Sequence, residues 1–253
     1  MTPPIVTPDG TEVEEVILPD GSEASEVIAP DGTVVFDAIP EIPDSENLHA
    51  HFDLQQQPES DGVTIDPLVD QSGNGHDADA VGGPTMNAGG FNGEDCATLD
   101  GVDDGWVVPD TSFTDLNQPY TIYWVGVLDE GESNDQQIHD NGGDNRAIIR
   151  WKGDGNDDWG VWSGGWVDNT GTFSDNIVAG VYNSTSSVIE TESAESSGDA
   201  GTNSLSDLGL GHRSDNGDRH MNGRWCEFAV YDAEHDASTR SGWFQYATAR
   251  WNL

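Results

Sequence analysis

Positive charge is what this sequence has least of. One lysine, Lys152, and seven arginines stand against 48 aspartates and glutamates, for a formal net charge of −40 over 253 residues. Nucleic acid is excluded as a partner, because neutralising phosphates takes clusters of Arg and Lys that are absent. Anionic membrane surfaces are excluded for the same reason. Cysteine is almost as scarce: Cys96 and Cys226 are the only two, too few for a disulfide-built scaffold. No stretch approaches the roughly 18 apolar residues of a membrane span, so insertion is not expected. The opening residues, Met1 to Gly10, have neither the basic region nor the apolar run of a secretory signal. There is no G-x-S-x-G elbow and no cysteine nucleophile with an evident histidine base.

What is present argues for a folded chain despite the charge. Nine tryptophans, strand-like apolar runs and Gly-punctuated turns do not suit a disordered polyanion. Self-repulsion at this charge destabilises a compact state in dilute buffer, whereas molar salt shortens the Debye length to about 3 Å. The composition therefore reads as adaptation to high salt, and the expected source is a salt-loving archaeon or one of its viruses.

Residues 7–39 repeat with a period of 11, each unit opening on x-Pro-Asp-Gly: Pro8-Asp9-Gly10, Pro19-Asp20-Gly21 and Pro30-Asp31-Gly32. Pro presets φ, Asp suits the next turn position and Gly takes the left-handed one. Between the turns lie short Val- and Ile-containing strands, too poor in apolar side chains to bury a core alone. Residues 1–43 are thus expected to be a β-repeat segment for attachment to other proteins or for trimerisation, with a partly ordered leader as the alternative. Pro40 to Pro43 reads as a stiff linker.

From residue 44 the pattern is short strands between Gly, Asn and Asp clusters. Leu48–Phe52 is an opening strand, and Tyr120–Leu128, apolar on both faces, belongs in the middle of a sheet. Arg146–Lys152 and Trp159–Ser163 flank an acidic loop as a hairpin. Segments 176–182, 187–190 and 206–211 continue the meander. Apolar residues at 243, 244, 247 and 251 have helical spacing, with Asp236 or Ser238 as the cap. The stretch Asp70-Gln71-Ser72-Gly73-Asn74-Gly75-His76-Asp77 predicts a tight loop, its glycines free to take positive φ. After it, Ala97–Leu99 and Gly105–Val108 read as a hairpin around Gly101-Val102-Asp103-Asp104.

The loop and that hairpin together resemble the D-x-S-G-N-G-H-[DN] and F-D-G-x-D-D elements of the laminin-G-like, concanavalin A-like jelly-roll family. Phe52-Asp53 resembles the family's opening strand, and Gly223 to Asp232 its closing one, with Cys226 standing where the family has an acid. The resemblance covers residues 44–253. It implies an all-β, two-sheet antiparallel β-sandwich with a short C-terminal helix, and binding rather than catalysis. The family's hydrolases carry an E-x-D-x-x-E strand, and no such run occurs here. It further implies a structural Ca2+ held by Asp53, Asp70, Asn74, carbonyls near Gly73 and His76, and Glu227, since oxygen ligands on a rigid loop suit that ion. The strands carrying Cys96 and Cys226 lie near each other in the family, so the two could form a disulfide or remain buried thiols.

Three further features resemble sites. Asp154 to Asp158 has D-x-[DN]-x-D spacing but lacks the rest of a calcium loop, and reads better as a solvated tip. His49-x-His51 reads as a surface pair rather than a zinc site. Trp151, Trp159, Trp162 and Trp166 crowd one hairpin, some as core and some as flat platforms for sugar rings. The expected ligand-binding residues are Trp159, Trp166, Asp168 and Asn169.

The sequence as a whole leads to a non-enzymatic structural protein of a tailed virus infecting a halophile: a tail fibre, receptor binder or capsid decoration. It would be assembled in the host cytoplasm, exposed on the virion and directed at host-surface glycan or glycoprotein. A cell-surface adhesin module and a glycoside hydrolase of the same fold are the competing readings. Screening predicts that the melting temperature rises with KCl from about 0.1 M to about 3 M. A flat or falling series measured by circular dichroism contradicts the halophilic reading.

Overall fold

A computed structural model of the chain describes residues 26–28, 34–37, 41–109, 113, 115–129, 135–142, 146–153, 158–213 and 219–253. Within the repeats, strands β1 (Glu26–Ile28) and β2 (Val34–Asp37) pair antiparallel across the third Pro-Asp-Gly unit. The remainder of the repeat segment, and the Asp154–Asp158 loop except for its last residue, lie outside the described residues.

The rest is a two-sheet antiparallel sandwich. One sheet has eight strands: β3 (Leu48–Asp53), β5 (Thr85–Phe91), β6 (Glu94–Asp100), β8 (Tyr120–Leu128), β13 (Ile177–Tyr182), β14 (Ser187–Thr191), β15 (Glu195–Gly198) and β17 (Asn222–Tyr231). The other has seven: β4 (Asp79–Val81), β7 (Gly105–Val108), β9 (Gln136–Asp140), β10 (Ile148–Lys152), β11 (Asp158–Trp162), β12 (Trp166–Asn169) and β16 (Leu208–Leu210). The C-terminal helix α1 (Ala237–Arg250) starts as expected: the Asp236 carboxylate accepts the Thr239 N–H at 2.8 Å.

Strand β17 is the spine of the larger sheet. On one edge it pairs with β8 along its length; on the other it pairs first with β6, through Asn222–Trp225, and then with β3, through Glu227–Tyr231. The change of partner falls at Cys226, where the ladder with β8 also shifts register. Cys226, at that point, and Cys96 are two buried free thiols, Cys96 Sγ lying 3.8 Å from the Asn87 carbonyl. The structure thus holds the pair as thiols and not as a bridge.

Period-2 alternation along β8 explains why both its faces are apolar. Trp124 points between the sheets, 5.7 Å from Trp159, while Tyr123 turns outward and stacks on Trp243 of α1 at 4.2 Å. Between the sheets, Trp106 of β7 meets Trp225 at 6.0 Å, and His139 of β9 meets Phe228 at 5.7 Å. Trp243 and Trp251 are fully buried beneath α1. Each contributes about 1.5–3 kcal/mol of hydrophobic stabilisation.

Two expectations need correction. Ala97–Leu99 and Gly105–Val108 do not form a hairpin: β6 lies in the eight-stranded sheet and β7 in the seven-stranded one. The Asp100–Asp104 segment is a corner between sheets, because carboxylates take up the N–H groups that a hairpin would give to its ladder. Asp100 Oδ1 accepts the N–H of Val102 at 2.8 Å, and Asp104 accepts those of Asp100 at 3.1 Å and Gly83 at 2.6 Å. Segment 206–211 likewise leaves the meander, and its strand β16 inserts between β9 and β7 of the other sheet.

His139 is buried in the core, its Nε2 3.3 Å from the Tyr182 hydroxyl, and burial pushes its pKa down to about 3. An unfolded histidine titrates near 6.5. The neutral imidazole therefore contributes stability that is fully present above about pH 6.5 and is lost as pH falls toward 3. The urea midpoint of the wild type, compared with that of His139→Asn, is expected to lose ground between neutral pH and about pH 5; a pH-independent difference contradicts this.

Candidate functional site

Two places concentrate polar chemistry, one on the outer face of each sheet. The first lies under α1. Asp53 on β3 and Glu227 on β17 are opposite one another in the ladder, and both are fully buried. Glu227 Oε1 accepts from His51 Nε2 at 2.8 Å and from the Tyr246 hydroxyl at 2.7 Å, while Oε2 accepts the Trp251 indole N–H at 2.7 Å. Asp53 Oδ1 accepts the Gln55 N–H at 2.9 Å, and Oδ2 accepts from Gln56 Nε2 at 2.9 Å and Arg250 Nη2 at 2.6 Å. Burial by itself would lower the pKa of Arg250, but the Asp53 carboxylate and its neighbours hold it above the ordinary arginine value.

Asp70 belongs to a separate arrangement. Oδ1 accepts the N–H groups of His51 and Ser72, both at 2.9 Å; Oδ2 accepts the His76 N–H at 2.9 Å and the Ser72 hydroxyl at 2.8 Å. Burial raises the pKa of Asp70, but these four hydrogen bonds outweigh it and leave the value below the usual carboxylate range. Gly73 and Gly75 take positive φ of 84° and 79°, which closes the loop on the carboxylate. Asn74 sends its amide N–H groups to the carbonyls of Leu48 and His49, each at 3.0 Å. The loop is a clasp on the first strand of the sandwich.

These residues do not fit the calcium set that the resemblance implied. Calcium needs six to eight oxygens with lone pairs free to face it. Here every carboxylate oxygen of Asp53, Asp70 and Glu227 already accepts from an N–H or O–H donor. Asp70 is engaged with its own loop, so the structure brings only Asp53 and Glu227 directly together. Asp100, Asp103 and Asp104 converge elsewhere, at the corner between sheets, where Asp100 and Asp104 serve backbone N–H groups. His49 and His51 are not a surface pair: His51 is buried on Glu227, and His49 lies 4.7 Å from the His76 ring and 5.0 Å from Phe113.

The second place is the outer face of the seven-stranded sheet. Register brings Trp159 opposite Asn169, Gly160 opposite Asp168, and Trp162 opposite Trp166. Residues three apart on a strand face opposite ways, so the expected ligand set divides. Trp159 points into the core, fully buried, with its indole N–H on the Thr172 carbonyl at 3.0 Å. Asn169 is also buried, its amide donating to the Ala194 carbonyl at 3.3 Å. Neither can touch a ligand. The alternation at 159/162 and 166/169 was the signal that separates them.

Trp166 and Asp168 stay on the outer face, joined by Trp162. Trp166 is 37 % exposed, the one aromatic among the described exposed large hydrophobics. The Arg150 guanidinium carbon lies 4.0 Å from its ring centroid and Lys152 Nζ 4.6 Å, with Lys152 also paired to Asp168 at 2.7 Å. Asp135 pairs with Arg150 and, at 3.3 Å, with Arg219. Gly160 makes the arrangement possible, since a Cβ there would come within 2.6 Å of the Asp168 carboxylate and 3.3 Å of the Trp166 ring. Two of the chain's eight lysines and arginines thus lie over one exposed indole, and a third, Arg219, joins Arg150 through Asp135. Cross-strand spacing on one face was the signal for Arg150 and Lys152; nothing in the local sequence pointed to Asp135 or Arg219.

Fold and sites together define an all-β sandwich with one sheet covered by a helix and the other carrying an exposed aromatic among ion pairs. No protein-family model matches the sequence, and no curated protein is similar to it in sequence. Among solved structures the chain is similar to domain 4 of AbnA, an extracellular GH43 arabinanase of Geobacillus stearothermophilus, in complex with arabinotriose. There the TM-score is 0.58 at 15 % identity over 78 % of this chain and 98 % of that domain. It is also similar to the binding domain of Paraclostridial Mosquitocidal Protein 1, with TM-score 0.57 at 14 % identity over 81 % of this chain and 52 % of that one. A third is Trypanosoma rangeli sialidase in complex with sialic acid, with TM-score 0.56 at 13 % identity; the chain spans 36 % of its length. At such identities these likenesses establish the jelly-roll sandwich fold.

The Tyr246 hydroxyl is one of three donors on a buried carboxylate, so its loss leaves Glu227 short of a charge-assisted hydrogen bond. Tyr246→Phe is expected to destabilise the protein by about 1.5–3 kcal/mol in urea melts. An unchanged midpoint contradicts a closed donor shell on Glu227.

Proposed function

We propose that the protein is a non-catalytic carbohydrate-binding module whose site is the outer face of the seven-stranded sheet around Trp166. One observation carries this reading: α1 covers the outer face of the larger sheet, whereas no described helix lies over the smaller one, and that face presents a partly exposed indole beside Asp168 and Lys152. A flat aromatic ring takes the apolar face of a pyranose, and fixed polar groups at its edge read hydroxyls. The arabinotriose and sialic acid complexes of the similar solved structures support a saccharide as the ligand class. Two acids on this face, Asp135 and Asp168, are engaged with arginine and lysine, which favours binding over acid–base hydrolysis by either.

The acidic composition and the Pro-Asp-Gly repeats support a finer reading, that the module faces outward on the virion of a virus infecting a halophile and binds a host-surface glycan. Its presence or absence in purified virions separates this from a cellular adhesin.

On a glycan array in molar KCl the wild type is expected to bind a defined saccharide set. Trp166→Ala should weaken that binding at least about tenfold, roughly 1.4 kcal/mol, with an unchanged melting temperature. Full binding by the variant moves the site elsewhere, and release of reducing sugar by the wild type overturns the non-catalytic reading.

A further inference from the structure

The helix does not seal the whole of the face it covers. Strand β3 pairs with β17 on one side only, and along its other edge the Asp70 loop stands where a further strand could pair. Between that loop, residues 41–48 and the end of α1 there is a cavity of about 320 Å³. Two residues of its wall carry buried hydrogen-bond donors with no acceptor. Gln71 Oε1 accepts the Asp53 N–H at 2.9 Å, but its Nε2 has no partner. Arg250, its side chain 5 % exposed, gives Nη2 to Asp53 at 2.6 Å, while its Nε has none. Buried donors without acceptors are costly, and two beside one cavity call for oxygen from outside the chain.

The lining limits what that oxygen belongs to. Two acids, Glu41 and Asp53, stand against one arginine in a chain of net charge −40, so an anion is repelled. A cation offers an N–H donor nothing. A hydroxyl serves both kinds of partner, accepting from Gln71 and Arg250 and donating to the carboxylate of Glu41, which is exposed at the rim. Ile42, Leu48 and Tyr246 add apolar wall for the C–H face of a ring. The volume lies at the small end of ligand pockets, about 300–1,000 Å³, which suits one ring rather than a chain of them.

We propose that this cavity is a second binding site, for a single neutral sugar ring whose hydroxyl oxygens accept from Gln71 Nε2 and Arg250 Nε. It asks nothing of the carboxylate oxygens of Asp53 and Glu227, which keep their donors. Nor does it depend on the reading of the Trp166 face, with which it shares no residue.

The test uses Trp166→Ala in molar KCl, so that saccharide held on the other sheet gives no signal. Saturation-transfer NMR is run with D-glucose, D-galactose, D-mannose and L-arabinose in turn. At least one is expected to receive saturation and to shift the Gln71 side-chain amide resonances, which are assigned by their disappearance in Gln71→Glu. That variant keeps the acceptor for Asp53 and loses the donor, and is expected to bind about three- to tenfold more weakly. Ser45→Trp changes an exposed residue of the cavity rim and is expected to abolish the transfer at an unchanged melting temperature. Transfer from none of the four sugars, transfer that leaves the Gln71 resonances in place, or full transfer to a normally melting Ser45→Trp each overturns the site. Transfer from glucuronate or glycine betaine and from no neutral sugar overturns the ligand class. Where Ser45→Trp lowers the melting temperature, the Gln71 resonances decide: movement supports the site and its absence overturns it.

Discussion

The structure depends on satisfying two buried carboxylates that face each other across the β3–β17 ladder. A chain with 48 acids and eight Lys and Arg residues can afford few buried charges, yet Asp53 and Glu227 are fully enclosed. The donors that hold them come from β3, from the turn after it and from α1 and the residue that follows it. The same contacts therefore tie the first strand of the sandwich, its last strand and its C-terminal helix into one unit. The Asp70 loop extends this closure by taking the His51 N–H, so the residue on Glu227 is itself held by the loop.

This closure decides which surface is left for function. Because α1 lays Trp243 on Tyr123 and sends Tyr246 to Glu227, followed by Trp251, the outer face of the eight-stranded sheet becomes interior. The seven-stranded sheet has no such cover among the described residues. Its outward side chains, Trp162 and Trp166 with Arg150, Lys152 and Asp168, can meet a ligand. Chain closure and the proposed ligand-binding face thus fall on opposite sides of the sandwich.

Much of the architecture was legible because period and punctuation are local properties. The apolar run at 120–128 marked a central strand, the spacing at 243, 244, 247 and 251 marked a helix, and Asp236 or Ser238 marked its start, the structure choosing Asp236. The Asp70 loop was legible too, since Gly73 and Gly75 announce positive φ. What misled was also local. The stretch from Ala97 to Val108 has the pattern of a hairpin, but whether two strands pair or part depends on where Asp104 sends its carboxylate, and its partner Gly83 lies far back in the chain. A set of acids near a tight loop resembles a cation site until their donors are known, and the donors of Asp53 and Glu227 include residues about 200 and 20 positions away.

By itself the sequence determined the class of fold, the acidic surface and the tryptophan-rich hairpin, because alternation, turn chemistry and charge are written residue by residue. Only the tertiary structure decided which tryptophans face solvent and which acids are already satisfied. Facing is set by cross-strand register, which placed Trp159 inside and Trp166 outside. Satisfaction is set by long-range donors, which gave Asp53 a guanidinium where the sequence suggested a metal.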